Sequence, residues 1–114
     1  MRTLATILIL VAAVTPAWGH DHARPDLDEF YRSLTVPYSH NGFMAGSSCC
    51  NKTDCAPRPV RLVNGIYEAQ GDNGEWLEVP IQAIITDKEN PYMQAVICIL
   101  GGKINCAVLG RTGG

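Results

Sequence analysis

The sequence predicts a small disulfide-stapled α+β domain, with a short N-terminal helix packed on an antiparallel sheet made of two β-hairpins. Three observations lead there. Five cysteines, Cys49, Cys50, Cys55, Cys98 and Cys106, follow a leader-like start. One stretch around Phe30 has helical periodicity, and two later stretches are paired apolar runs joined by glycine-containing turns.

The leader sets the context for the rest. Arg2 opens it, an apolar run extends from Leu4 to Val14, Pro16 breaks it, and Ala17 and Gly19 are small residues suited to a cleavage site. Residues 1–19 therefore read as a signal peptide, with no cysteine in its apolar run at which a lipid could attach. The run is shorter than the roughly 20 residues that span a bilayer, and no transmembrane segment is expected after signal removal. The expected location is periplasmic or secreted. Residues 20–25 read as a flexible polar lead, 26–110 as a single domain and 111–114 as a frayed tail. A domain this short has little core to spare, so the cysteines are expected to pair in an oxidising compartment, each bridge contributing about 2 to 4 kcal/mol. Losing Arg2 leaves eight basic residues against eleven acidic ones, a net charge near −3 that argues against a nucleic-acid partner. Lys52, Arg58 and Arg61 then read as a solvated face.

Asp26 precedes Leu27, Phe30, Tyr31 and Leu34, spaced i, i+3, i+4 and i+7, and Glu29 stands where a capping-box partner belongs. This predicts one amphipathic helix ending before Pro37. Tyr38 to Ser48 reads as a loop carrying His40. Asn64-Gly65 between Val60–Val63 and Ile66–Ala69 is a strong hairpin signal, and its two-residue loop pairs Val63 with Ile66, Leu62 with Tyr67 and Arg61 with Glu68. Gly71 to Gly74 is a second turn, leading to a third strand over 75–79. Pro80 suits the start of a single helical turn over 81–85, with a further strand as the alternative. Gln94–Leu100 and Ile104–Leu109 form the last hairpin around Gly101-Gly102, β-branched enough to be buried.

The neighbours Cys49 and Cys50 are expected to look to different partners. With a three-residue loop over 101–103, Cys98 would face Cys106 and the two could bond. With a two-residue Gly101-Gly102 turn they would point to opposite faces, and one or both would tie the Cys49–Cys55 loop onto the sheet. The second family of pairings is the expectation. The fifth cysteine has four readings: a reactive thiol, an intermolecular link, a metal ligand or a buried spectator. No Cys-x-x-Cys spacing supports a redox role, so structural pairing with a buried spectator is preferred.

After cleavage the chain would begin His20-Asp21-His22, whose amine, amides and His22 imidazole form a nitrogen set suited to copper, against the plainer reading of a polar spacer. No catalytic set stands out. His40 with Ser47, Ser48 or a cysteine lacks an orienting third group, and reads as a loop histidine facing water. Asp54 reads as a turn cap. Trp76, Tyr67 and Tyr92 read as half-buried sheet residues. Asn51-Lys52-Thr53 matches a glycosylation acceptor that a bacterial type of leader makes irrelevant.

Tyr31-Arg32-Ser33-Leu34 with Pro37, Gly46-Ser47-Ser48-Cys49-Cys50, Asp54-Cys55, Gly65 to Ala69, Trp76, Val79-Pro80, Asn90-Pro91, Ala95-Val96 with Cys98, and Ile104 with Cys106 together resemble a family of small exported proteobacterial proteins. Its mark is a Cys-Cys-x4-Cys motif with two further C-terminal cysteines. Here Ala107 follows Cys106 where the family has an aromatic residue, and the loop before Gly46 is longer. The resemblance implies an envelope location and an odd cysteine count, and it carries over no functional residue. The expected function is a non-enzymatic structural or binding module of the bacterial envelope, acting on an envelope protein or ligand. The alternatives are a periplasmic copper-binding protein using His20 and His22, and a thiol-disulfide redox partner.

Overall fold

The computed structural model describes residues 25–51 and 54–111. The expected signal peptide, the lead with His20 and His22, and the last three residues lie outside the described residues, as does the side chain of Asp26.

One short helix and two three-stranded antiparallel sheets make up the fold. Helix α1 (Pro25–Ser33) is followed by strands β1 (Asp54–Arg58), β2 (Val60–Val63), β3 (Ile66–Gln70) and β4 (Trp76–Glu78), a 3-10 turn (Ile81–Ala83), and strands β5 (Ala95–Leu100) and β6 (Lys103–Val108). The first sheet has the order β1-β5-β6 and the second β2-β3-β4. The expectation of a single sheet made of two hairpins is thereby corrected. Each hairpin seeds its own sheet: β1 pairs with β5 of the β5–β6 hairpin, and β4 with β3 of the β2–β3 hairpin.

The first sheet is the middle layer. On one face Val96, Cys98, Cys106 and Val108 pack with Tyr31, Leu34, Val36, Cys49, Cys55 and Ile85. On the other, Ala95, Ile97, Ile104 and Ala107 meet Ala69, Val79 and Ala83 from the second sheet and the 3-10 turn. Burial on both faces explains why β5 is an almost unbroken apolar run rather than an alternating one.

Local chemistry accounts for most of the connections. Asn64 and Gly65 both have positive φ (51° and 79°), the conformation that a two-residue hairpin turn needs, and the β2–β3 register is the expected one. Arg61 Nε donates to Glu68 Oε1 at 2.8 Å, and its guanidinium lies 4.0 Å over the Trp76 ring. Pro80 precedes the 3-10 turn as expected. Strand β1 precedes Pro59, after which the strands are expected to begin, and it contains Pro57. The strand lies at the sheet edge, where a missing N–H costs no ladder bond. Only Pro59 separates β1 from β2, so the chain crosses directly from one sheet to the other.

Arg58 corrects the reading of a solvated cation. It is buried, and its Nη1 meets Asp72 Oδ1 at 2.8 Å while Nη2 lies 3.6 Å from Asp54 Oδ2. One side chain thus links β1 to the β3–β4 turn of the other sheet. Asp54 accordingly opens β1 as an ion-pair partner rather than capping a turn. Asn90 clamps the start of β5 to the end of β6: its Nδ2 lies 3.0 to 3.1 Å from the carbonyls of Gln94, Val108 and Leu109, and its Oδ1 accepts from Tyr92 N at 2.7 Å.

Candidate functional site: a three-sulfur cluster

The cysteines converge because of one irregularity in the last hairpin. Leu100 pairs with Lys103 across a two-residue Gly101-Gly102 turn, and Ile99 pairs with Ile104. The next partners are Cys98 and Cys106, so Asn105 is an extra residue, a β-bulge. This bulge corrects the sequence expectation that a two-residue turn sends Cys98 and Cys106 to opposite faces. Both sulfurs reach the face under α1, without bonding each other. Asn105 is itself buried, with Nδ2 donating to Cys49 O at 3.2 Å.

Cys55 stands opposite Cys98 in the β1–β5 ladder, as Cys98 stands opposite Cys106 in β5–β6. Three cysteines thus form a row across the three strands. Above the row, residues 34–36 and 47–49 form a short antiparallel ribbon: Val36 N donates to Ser47 O (2.9 Å) and Cys49 N to Leu34 O (3.0 Å). The ribbon brings Cys49 over β6 and Cys50 over β5.

Two bridges result, Cys49–Cys106 and Cys55–Cys98, with Cys50 left as a thiol. They belong to the preferred family of pairings, in which the Cys49–Cys55 loop is tied onto the sheet. The fifth cysteine is no remote spectator. Its Sγ lies 3.9 Å from Cys98 Sγ, and the sulfurs of Cys50, Cys55 and Cys98 all lie within 4.8 Å of one another.

The surroundings are apolar and aromatic. Phe30, Phe43 and Tyr92 pack against the cluster from the rim. Burial pushes the Cys50 thiol up to about 12 and also raises the buried Tyr31 hydroxyl, which donates to Tyr92 Oη at 3.3 Å. The resting thiol is protonated at neutral pH, with a thiolate fraction on the order of 10⁻⁵.

His40 does not join the sulfurs and does not simply face water. It is half-buried, with Nδ1 2.7 Å from Tyr38 O and Nε2 3.2 Å from Ile104 O. Asn41 and Gly42, both at positive φ, form a second Asn-Gly turn that holds it there through the His40–Phe43 bridge. The Asn-Gly rule applied at residues 64–65 would have found it in the sequence. Ser47 Oγ donates to Met44 O at 2.6 Å rather than to the imidazole. A polar groove of about 560 Å³ runs past Ser39, His40, Glu78, Gln82 and Lys103. Both ring nitrogens face carbonyls, which leaves His40 poorly placed as a base for anything bound in that groove. Tyr67, Trp76 and Tyr92 are half-buried. Among the described residues, no helix is long and apolar enough to cross a membrane.

Comparison with protein-family models, with curated proteins and with solved structures gives no match to this chain.

Proposed function

We propose that this chain works outside the reducing cytosol as a stoichiometric thiol-disulfide exchange module, in which Cys50 acts on the Cys55–Cys98 bridge. The observation that carries this reading is the 3.9 Å approach of Cys50 Sγ to Cys98 Sγ. The two bridges support the oxidising location, since such bonds persist chiefly in exported proteins.

The exchange balances within the molecule. Cys50 gives its proton to solvent, and its thiolate attacks Cys98 Sγ. A Cys50–Cys98 bond forms as the Cys55–Cys98 bond breaks, the electron pair leaves on Cys55 Sγ, and that thiolate takes up a proton. Net oxidation state is unchanged. A dithiol of a partner protein then takes the disulfide: its first thiolate attacks Cys50 Sγ and releases Cys98 as a thiolate, its second attacks the sulfur bonded to Cys50 and releases Cys50, so the partner is oxidised by two electrons and this chain is reduced. Two factors oppose one another: proximity supplies effective concentrations on the order of 10⁵ M for well-oriented groups, while protonation withholds a factor of similar size at neutral pH. The thiol is therefore gated, slow at rest and faster wherever a partner or alkaline pH frees the thiolate.

The test is transfer of the disulfide from the oxidised full chain to a reduced dithiol peptide, with Cys50→Ser as the comparison. Transfer about tenfold or more slower in the variant is the expected result. Equal rates would remove the reading.

A second reading, a non-enzymatic binding module of the envelope, draws on a different surface. Leu62, Ile66 and Ile81 are exposed at the free end of the second sheet, beside an apolar groove of about 280 Å³ that Tyr67, Val79 and Ile84 help to line. Charge substitutions at Leu62 and Ile66 that leave interaction with envelope extracts unchanged would remove it.

A further inference from the structure

We propose that two-electron reduction of the Cys55–Cys98 bridge converts the sulfur cluster into a three-coordinate Cu(I) site formed by Cys50, Cys55 and Cys98. The site is independent of whether Cys50 exchanges with that bridge, because it needs only that the bridge be reduced to two thiols.

Geometry supports three sulfurs around one ion. With metal–sulfur bonds of about 2.3 Å, a planar trigonal set has sulfurs about 4 Å apart. Cys50 and Cys98 already stand at 3.9 Å, and no pair in the set exceeds 4.8 Å. Only Cys55 Sγ has to withdraw from Cys98, by rotation about its own side chain. Cys55 and Cys98 sit on directly paired strand positions and Cys50 on the ribbon above, so three separate backbone segments fix the donors.

The donor chemistry selects the ion. Among the described residues no imidazole or carboxylate joins the three sulfurs. Thiolates alone favour soft cations, and an all-sulfur set of three lacks the fourth ligand that a closed structural zinc site requires. Cu(I) accepts three thiolates. The apolar Tyr31, Leu34, Val96 and Val108 side chains of the same core cluster lower the polarity around the half-buried Cys50 and its two buried partners, which favours the monovalent ion over the hydrated divalent one. The reductant is a dithiol, which is oxidised to a disulfide as it delivers two electrons and two protons to Cys55 and Cys98. Each cysteine that then binds the metal releases its proton to solvent.

The full chain, reduced by a dithiol without oxygen, would be titrated with Cu(I) against a chromogenic chelator. One tightly held Cu(I) per chain is expected, with an ultraviolet sulfur-to-copper band and three sulfurs per copper in X-ray absorption. Alkylation of the loaded protein should spare Cys50, Cys55 and Cys98. Cys50→Ser should lower affinity by about tenfold or more and reduce the sulfur count to two. Capping the Cys50 thiol on the oxidised, folded wild-type chain with an irreversible thioether (carbamidomethyl) group, before the dithiol is added, should do the same, which covers a variant that fails to fold. Labelling of Cys50, Cys55 or Cys98 in the loaded protein, nitrogen or oxygen ligands in place of the third sulfur, or unchanged affinity after Cys50 is capped would each overturn the site.

Discussion

Replacing Cys49 and Cys106 together by alanine tests how much of the fold rests on covalent links. The two bridges are nested: Cys55–Cys98 closes a separation of 43 residues inside the 57 closed by Cys49–Cys106. Either one alone removes about 4 kcal/mol of unfolded-chain entropy by the loop-length relation. Once the inner bridge exists, however, the outer one closes only a residual ring of about 15 residues, a contribution of about 3 kcal/mol. The alanine pair also removes two buried sulfurs, which adds to the loss. A small domain has about 5 to 15 kcal/mol in total, so the variant should fold but melt about 12 to 24 °C lower. Calorimetry without reductant measures this directly. A fall of less than about 4 °C would refute the view that the Cys49–Cys106 link, rather than side-chain packing, holds the ribbon to the sheet.

Four further outcomes follow from named groups. Alkylation of native Cys50 should be slow at neutral pH and rise about tenfold per pH unit toward 12; a rate already flat at pH 8 would contradict a thiol protected by burial. The thiol is held at about 12 in the folded chain against 9.0 unfolded, so its stabilising share is complete below pH 9 and lost as pH climbs to 12. Wild type should therefore lose stability relative to Cys50→Ala across that window in urea titrations. Asn90→Ala removes the clamp between the start of β5 and the end of β6 and should cost about 2 to 3 kcal/mol by urea midpoint, against no more than about 0.5 if the contacts are incidental. Asp72→Asn leaves buried Arg58 with its longer contacts to Asp54 and to the Gln70 carbonyl. It should cost about 1 kcal/mol, because Asp72 is itself more than half exposed.

Parts of this fold are legible in single residues. Asn64-Gly65 specifies a turn, and the turn specifies a register, so the Arg61–Glu68 pair follows by counting. Pro80 marks the 3-10 turn in the same way. What is not legible depends on distant partners. Strand β1 carries a proline that local preference excludes, and it exists because β5 offers it an edge. The Asn105 bulge has no signature, yet it decides which face Cys106 meets. The separation into two sheets is likewise tertiary. The site was legible as a list of five sulfurs but not as a cluster, since their grouping depends on that bulge and on the ribbon over the sheet. Arg58 shows the same limit, its charge being plain in the sequence and its burial between Asp72 and Asp54 not.

The most direct test holds the full chain without reductant over a range of alkaline pH, quenches it with acid, alkylates the free thiol and maps the bridged peptides. The expected resting map has Cys49 joined to Cys106, Cys55 to Cys98, and the label on Cys50. As pH rises, a second species should grow in which Cys50 is joined to Cys98 and the label moves to Cys55. A label confined to Cys50 at every pH would show that the neighbouring sulfurs never exchange.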